Sequence, residues 1–200
     1  RYHTVAFNHP DGFALQVLAS VLNRRTGRLY KSLVEDKKLA VGEPGAFSRG
    51  MKFEGYFEIY SEIKDGVEPK AVEDALLAER ALLADKPVGE NELQKVKNQI
   101  LADSYRRLGS NFFLLLQLLL YDSNDGWQYL NDSPAKLLAV TAADVQRVAK
   151  AYLAPDKKSV LTMVRKAGAA PEDPELAALP AEMKAGVKQQ LAAIAQIQDQ

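Results

Sequence analysis

The sequence has 200 residues, of which 47% are hydrophobic and 26% charged, a composition that suits one globular domain with a sizeable core. Lys plus Arg and Asp plus Glu each number 26, so the balanced charge argues against a nucleic-acid partner and against attraction to an acidic membrane surface. The sequence contains no cysteine, which excludes a disulfide framework and any thiolate metal site.

The first elements of the chain predict a strand followed by two helices. Residues 2–7 have the β-branched and aromatic content of a strand, and the chain begins beside it at Arg1, so we expect a piece of a longer protein. Apolar residues at helical spacing predict a helix over residues 13–22. A short amphipathic helix is predicted from Gly27, ended by the charged run at residues 35–38.

Two extended segments follow. Residues 42–50 carry three glycines and a proline, which favours a loop or a frayed edge strand. Residues 56–63 alternate apolar and polar side chains, which predicts a half-buried strand with helices on its apolar side.

The second half of the chain predicts mainly helices. Pro69 opens a helix that continues to Asp85, and a second runs from Glu90 to Leu108, with Gly109 as its C-terminal cap. Ser110 can cap the apolar run at residues 112–121, which is too short for a membrane span of about twenty residues and therefore predicts a buried core helix.

The last helix of the predicted domain begins at a capping box, in which Thr141 and Asp144 each bond the other's backbone, and it stops before Pro155. Residues 159–164 predict a final strand. The predicted fold is α+β, with one antiparallel-rich sheet and helices packed on one face, over residues 1–166. Residues 167–200 predict an Ala/Pro linker and a C-terminal helix leading to a further domain; its narrow apolar stripe is Val187, Leu191 and Ile194.

Four segments carry a resemblance to a known family. The stretch GRLYKSLVEDKKLAV at residues 27–41 resembles the S-R-L-F-x-x-L-R-E-E-K-G-L-A-Y signature of the non-catalytic half of insulinase/pitrilysin-type zinc peptidases. Segments beginning at His9, Pro87 and Thr141 resemble three further stretches of that family, in the same order. The resemblance covers roughly residues 2–166 and implies an insulinase-like metallohydrolase fold without catalytic residues.

The resemblance also identifies two positions of interest. In the family, an Arg and a Tyr seven residues apart reach the zinc site of the other half and help to hold the substrate carbonyl. Here those substrate-facing positions are Val34 and Val41, and neither side chain can donate a hydrogen bond to an oxyanion. Two interpretations stay open: the domain keeps its fold for packing alone, or it still walls a substrate chamber with other residues in their place.

The sequence offers no metal site of its own. The family's zinc chemistry needs H-x-x-E-H on a helix, whereas this chain has only His3 and His9, which are six apart and predicted on a strand and in a turn. The carboxylates at residues 35–36 lie beside two lysines and are interpreted as a solvated turn. Ser32 and Ser61 have no histidine nearby in sequence to activate them.

We therefore expect a catalytically inactive domain of a zinc metallopeptidase, walling a peptide-binding chamber opposite an H-x-x-E-H domain of the same or a partner polypeptide. The chain alone is expected to be inactive; the parent protein would be a zinc-dependent metalloendopeptidase, with zinc held by the partner domain. The resemblance implies a bacterial periplasmic location. Two alternatives remain: a scaffold or assembly domain without peptidase function, as in respiratory complexes, and an unrelated α+β binding module.

Overall fold

The computed structural model describes residues 1–164, 179–180, 183–184, 186–187 and 190. The chain divides into two compact units, Arg1–Leu161 and Thr162–Gln200, and the first contains the elements below. Residues 183–184, 186–187 and 190 are helical. Most of the predicted linker, together with Leu191 and Ile194, lies outside the described residues, so the division into 1–166 and 167–200 stays a prediction.

An antiparallel sheet of three strands forms one layer. The strands are β1 (Tyr2–Thr4), β2 (Ala40–Arg49) and β3 (Gly55–Ile63), in the order β1-β3-β2. In the central strand, Phe57 pairs with Tyr2 of β1 and is fully buried, which explains the alternating pattern seen in the sequence. The glycine-rich segment after residue 41 forms an edge strand, with a bulge between Val41 and Gly45.

The remaining elements are helical, and several of them pack against this sheet. They are α1 (Asp11–Leu22), a π-helical turn (Tyr30–Asp36), α2 (Pro69–Asp85), α3 (Glu90–Leu108), α4 (Asn111–Asn124), α5 (Tyr129–Ala139), α6 (Ala142–Tyr152) and a 3₁₀ turn (Pro155–Lys157). Helix α1 contacts β2, α3 and α6, and eight of its twelve residues are buried. A helix surrounded in this way is apolar on most sides, as its sequence is. The predicted α+β fold is confirmed.

The capping box at the start of α6 is also confirmed. The backbone N–H of Asp144 donates to Thr141 Oγ1 at 3.1 Å, and the backbone N–H of Thr141 donates to Asp144 Oδ2 at 3.0 Å. This start fixes the face on which Val145, Val148 and Ala149 are buried.

Helix α4 differs from its prediction as a buried core helix. None of its residues is buried, and Phe112 and Leu119 are 69% and 60% exposed. An apolar run indicates that burial of its side chains would be favourable, but it does not indicate which elements will surround it. In this structure only part of α4 contacts α3 and α5. Within the described residues, no helix has both the length and the apolar character needed to cross a membrane.

Two further predictions are wrong, and one helix was not predicted. Residues 159–164 do not form a strand: Ser159 exchanges two backbone hydrogen bonds with Arg1, and beside it Lys158 forms an isolated antiparallel bridge with Tyr2. Strand β1 stops at Thr4 rather than at residue 7. Helix α5, which contains Pro134, was not predicted. Gly109 is the C-terminal cap of α3, as predicted, and it ends the helix in a right-handed conformation (φ −70°).

Candidate functional site around Val34 and Val41

The segment that resembles the family signature folds as a π-helical turn followed by an edge strand. The N–H of Lys37 donates to Ser32 O at 3.0 Å, and the N–H of Leu39 donates to Leu33 O at 2.8 Å. Between these bonds Lys38 adopts φ +54°, which turns the chain back towards β2. A π-helical turn is rare and is often found at functional sites.

Long-range contacts hold this segment in place. Arg28 makes a bidentate ion pair with Glu92 of α3, with Nε–Oε1 and Nη2–Oε2 distances of 3.0 and 2.7 Å. Gly27 lies so close to the end of α1 that an added Cβ would be 1.9 Å from Asn23 O. The Asn23 amide bonds both backbone groups of Ala46 in β2. The turn, α1 and the edge strand therefore form one connected support.

The two valines lie in different surroundings on this support. Val34 is half-buried and packs against the hydrophobic core from the π-helical turn. Val41 is 38% exposed near the start of β2, where its register partner is Glu62 of β3. Both positions are apolar, and whether they face a substrate stays a prediction.

Other sequence candidates occupy ordinary positions. The charged residues 35–38 are all exposed, as expected for a solvated turn. Ser32 is buried within the π-helical turn. His3 is exposed with Nδ1 3.2 Å from Glu54 Oε2, and His9 Nδ1 accepts the backbone N–H of Asp11 at 3.1 Å. Across the described residues, no group of three or more His, Cys, Asp or Glu side chains is placed to hold a metal ion.

One polar network was not predicted. Asp11, in the first turn of α1, accepts hydrogen bonds from Arg147 Nη2 and from the hydroxyl of Tyr152, both at 2.7 Å. The bond from Arg147 holds the pKa of the Asp11 carboxyl below its usual range. Burial, together with the bond to Asp11, raises the pKa of Tyr152 to about 12. The network ties α1 to α6, and its residues lie in two of the segments that resemble the family.

Comparison with known families agrees with this architecture. Residues 1–100 match the model of the family described as the Peptidase M16 inactive domain. The chain belongs to this family. The resemblance to the non-catalytic half of insulinase/pitrilysin-type peptidases is thereby confirmed. No curated protein matches the chain.

Several solved structures have a fold similar to that of this M16 inactive domain. Some match it over part of a longer chain, and one is a separate domain. A protease from Helicobacter pylori has a TM-score of 0.74 at 24% identity over 78% of this chain and 38% of its own. The inactive peptidase domain of a candidate zinc protease from Bordetella parapertussis has a TM-score of 0.72 at 22% identity. The match covers 84% of this chain and 91% of that domain. A chain of complex III2 from Candida albicans has a TM-score of 0.64 at 18% identity. The match covers 76% of this chain and 38% of the Candida albicans chain.

Proposed function

We propose that this M16 inactive domain forms the non-catalytic wall of a peptide-binding chamber, opposite an H-x-x-E-H domain of a zinc metallopeptidase. The observation that carries the proposal is the family match, since an inactive M16 domain implies a paired catalytic one. The length of the chain supports it: the chain spans 38% of the Helicobacter pylori protease but 91% of the Bordetella parapertussis domain. A catalytic partner domain of similar size would supply the remainder.

The chain's own residues do not fit the zinc that such a peptidase needs. Its two histidines are engaged separately, His3 with Glu54 and His9 at the start of α1, and both are exposed. Three clustered ligands with an open fourth position are required for catalytic zinc. In the proposed complex the metal, its ligands and the general base therefore belong to the partner domain.

What this domain contributes is a surface. At the positions of Val34 and Val41 it presents apolar side chains, which can contact the apolar parts of a bound peptide but cannot stabilise a developing oxyanion. The ion pair between Arg28 and Glu92 and the Asn23–Ala46 hydrogen bonds hold the segment that carries them. The proposed role is to position the peptide and to exclude water.

Reconstitution tests this role. The catalytic H-x-x-E-H domain from the same source is purified with and without this chain, and cleavage of a fluorogenic peptide is measured. We expect a stable complex, no cleavage by this chain alone, and activity of the catalytic domain that depends on the chain. Absence of a complex, or equal activity of the catalytic domain without the chain, would contradict the proposal.

A matched pair of variants tests whether the surface at Val41 contributes to peptide cleavage. Val41→Glu places a carboxylate at an exposed position where the chamber is proposed, so it should lower kcat/KM of the complex at least tenfold by repelling developing negative charge. Val160→Glu makes the same change at another exposed valine and should leave kcat/KM unchanged. Equal activity of the two variants would argue against a chamber at Val41.

A scaffold role is the second candidate, favoured by the similarity to a chain of complex III2 from Candida albicans. A domain of this kind would form a stable assembly without any peptidase function. A complex that assembles but cleaves no peptide under any tested condition would favour this role over the first.

A further inference from the structure

A cleft inside the domain lies apart from the family signature at residues 27–41. It is bounded by the segment after β1, the start of α1, the end of β2, and helices α3, α4 and α5, and its volume is about 220 Å³. An engineered apolar cavity of about 150 Å³ is large enough to bind benzene. The cleft can therefore take one aromatic or branched aliphatic side chain.

Aromatic rings form much of its wall. The ring of Tyr129 lies 4.5 Å from that of Phe7, 4.9 Å from that of Tyr121 and 5.6 Å from that of Phe13, measured between centroids. Burial raises the pKa of both tyrosines, so their hydroxyls stay protonated and can donate at neutral pH. The wall thus combines apolar area with two hydroxyl donors.

The charge of the residues that line the cleft indicates which ligand charge it favours. Arg107 is the one charged side chain among the residues that line it, and no Asp or Glu lines it. The Nε of Arg107 donates to Asp103 O at 3.3 Å, and the guanidinium makes no ion pair with a carboxylate of the described residues. A group of aromatic rings alone would suit a cation, but an unpaired arginine disfavours one. A carboxylate is the complementary group, because guanidinium and phenol donors both bind it strongly.

We propose that this cleft binds a hydrophobic carboxylate, in which an aromatic or branched aliphatic group enters among the rings and the carboxylate pairs with Arg107. The C-terminal residue of a peptide has this chemistry, and so does a free acid of the same size. The site is contained in this domain and does not depend on a catalytic partner, so it extends beyond the proposed chamber. It can be tested even where the chamber proposal fails.

Titrations of the full chain with small probes test the proposal. N-acetyl-phenylalanine, a peptide ending in Ala-Phe, the C-terminal amide of that peptide and phenethylamine are compared by NMR. We expect both acids to bind with Kd values of about 1 mM or below and to shift the ring signals of Tyr121 and Tyr129. The amide should bind at least tenfold more weakly than the acid. A preference for the longer acid over N-acetyl-phenylalanine would identify a peptide end as the ligand.

Two neighbouring arginines provide the variant and its control. Arg107→Gln removes the charge at the cleft and should weaken binding of the acids at least tenfold while leaving the amide unchanged. Arg106→Gln changes an exposed arginine that pairs with Asp103 and does not line the cleft, and it should have no effect. Equal binding of acid and amide to the unmodified chain, tighter binding of phenethylamine, or no binding of any acid would each overturn the proposal, whether or not the variants fold.

Discussion

Arg147 of α6 donates to the carboxylate of Asp11 in α1 across 136 residues of sequence, and Tyr152 donates to the other oxygen of the same carboxylate. The two helices are central to the domain, since α1 packs between the sheet and α6. The carboxylate of Asp11 is largely shielded from solvent, its side chain being 13% exposed. Its removal would leave the Tyr152 hydroxyl without this partner and would leave Arg147 with its longer contact to Asp144 at 3.5 Å.

We therefore expect Asp11→Asn to lower the free energy of unfolding at pH 7 by about 1.5–3 kcal/mol, the usual range for hydrogen bonds to a charged group. Because the pKa of Asp11 is lowered in the folded state, its contribution is present above the unfolded pKa of about 4 and is lost as the pH falls through the folded pKa. Urea unfolding of both proteins between neutral and acid pH should show the difference shrinking below about pH 4. Asp74→Asn removes an exposed pair with Lys70 on α2 and serves as the control, with no measurable change expected. A pH-independent difference would show that the Asp11 carboxylate is not the cause.

The capping box gives a second prediction. Thr141→Ala removes the oxygen that accepts the N–H of Asp144 and should cost about 0.5–2 kcal/mol. Ser110→Ala is the matched control, because Ser110 holds the same position at the start of α4 but its side chain makes no capping bond. Chemical denaturation of the two variants should separate them, and equal losses would contradict the assigned role of Thr141.

The exposure of α4 is tested by two leucines. Leu18 of α1 is fully buried, so Leu18→Ala should cost about 2–5 kcal/mol. Leu119 of α4 is 60% exposed, and Leu119→Ala in the isolated chain should cost less than about 1 kcal/mol. Unfolding at low protein concentration keeps association from contributing. If Leu119→Ala lowered the free energy of unfolding as much as Leu18→Ala, the result would contradict the exposure of α4 and support a buried helix.

These elements also show what the sequence could predict. The bounds of α2 and α3 were predicted correctly because their signals are local: Pro69 at the first turn of α2, an acidic first turn in α3, and Gly109 at the end of α3. The burial of α4 and the pairing of residues 159–164 depend on which elements lie beside them. No window of sequence contains that information.

The candidate sites also differ in whether the sequence alone could predict them. The family signature was recognisable because its residues are contiguous, and it led to Val34 and Val41. The Asp11 network and the cleft at Arg107 join residues that are far apart in sequence, and the positions of their polar atoms depend on packing. Arg107 lies in a helix whose last turn favours basic residues in any case, so its sequence position carried no signal of a site.

The last prediction concerns Val34 and Val41 in the complete peptidase. Val41 is partly exposed, so Val41→Tyr should fold normally, whereas Val34 packs against the core and Val34→Arg should cost some stability. If the two positions face a zinc site, the double variant should raise kcat, because donors aimed at an oxyanion act mainly in the transition state. Removing one such donor typically costs about 2.7–4 kcal/mol, and we expect a smaller gain here because the surrounding residues are not arranged to support the new side chains.

Each single variant should give less than half of the combined gain, since both groups act on one charge. The measurement is kcat and KM for a fluorogenic peptide with the wild type, both single variants and the double variant, after circular dichroism has shown that each is folded. A rise in kcat of tenfold or more, equivalent to about 1.4 kcal/mol, would place this face at the reacting bond. An unchanged kcat in a folded double variant would favour the scaffold role, because donors restored at both positions would then have no oxyanion within reach.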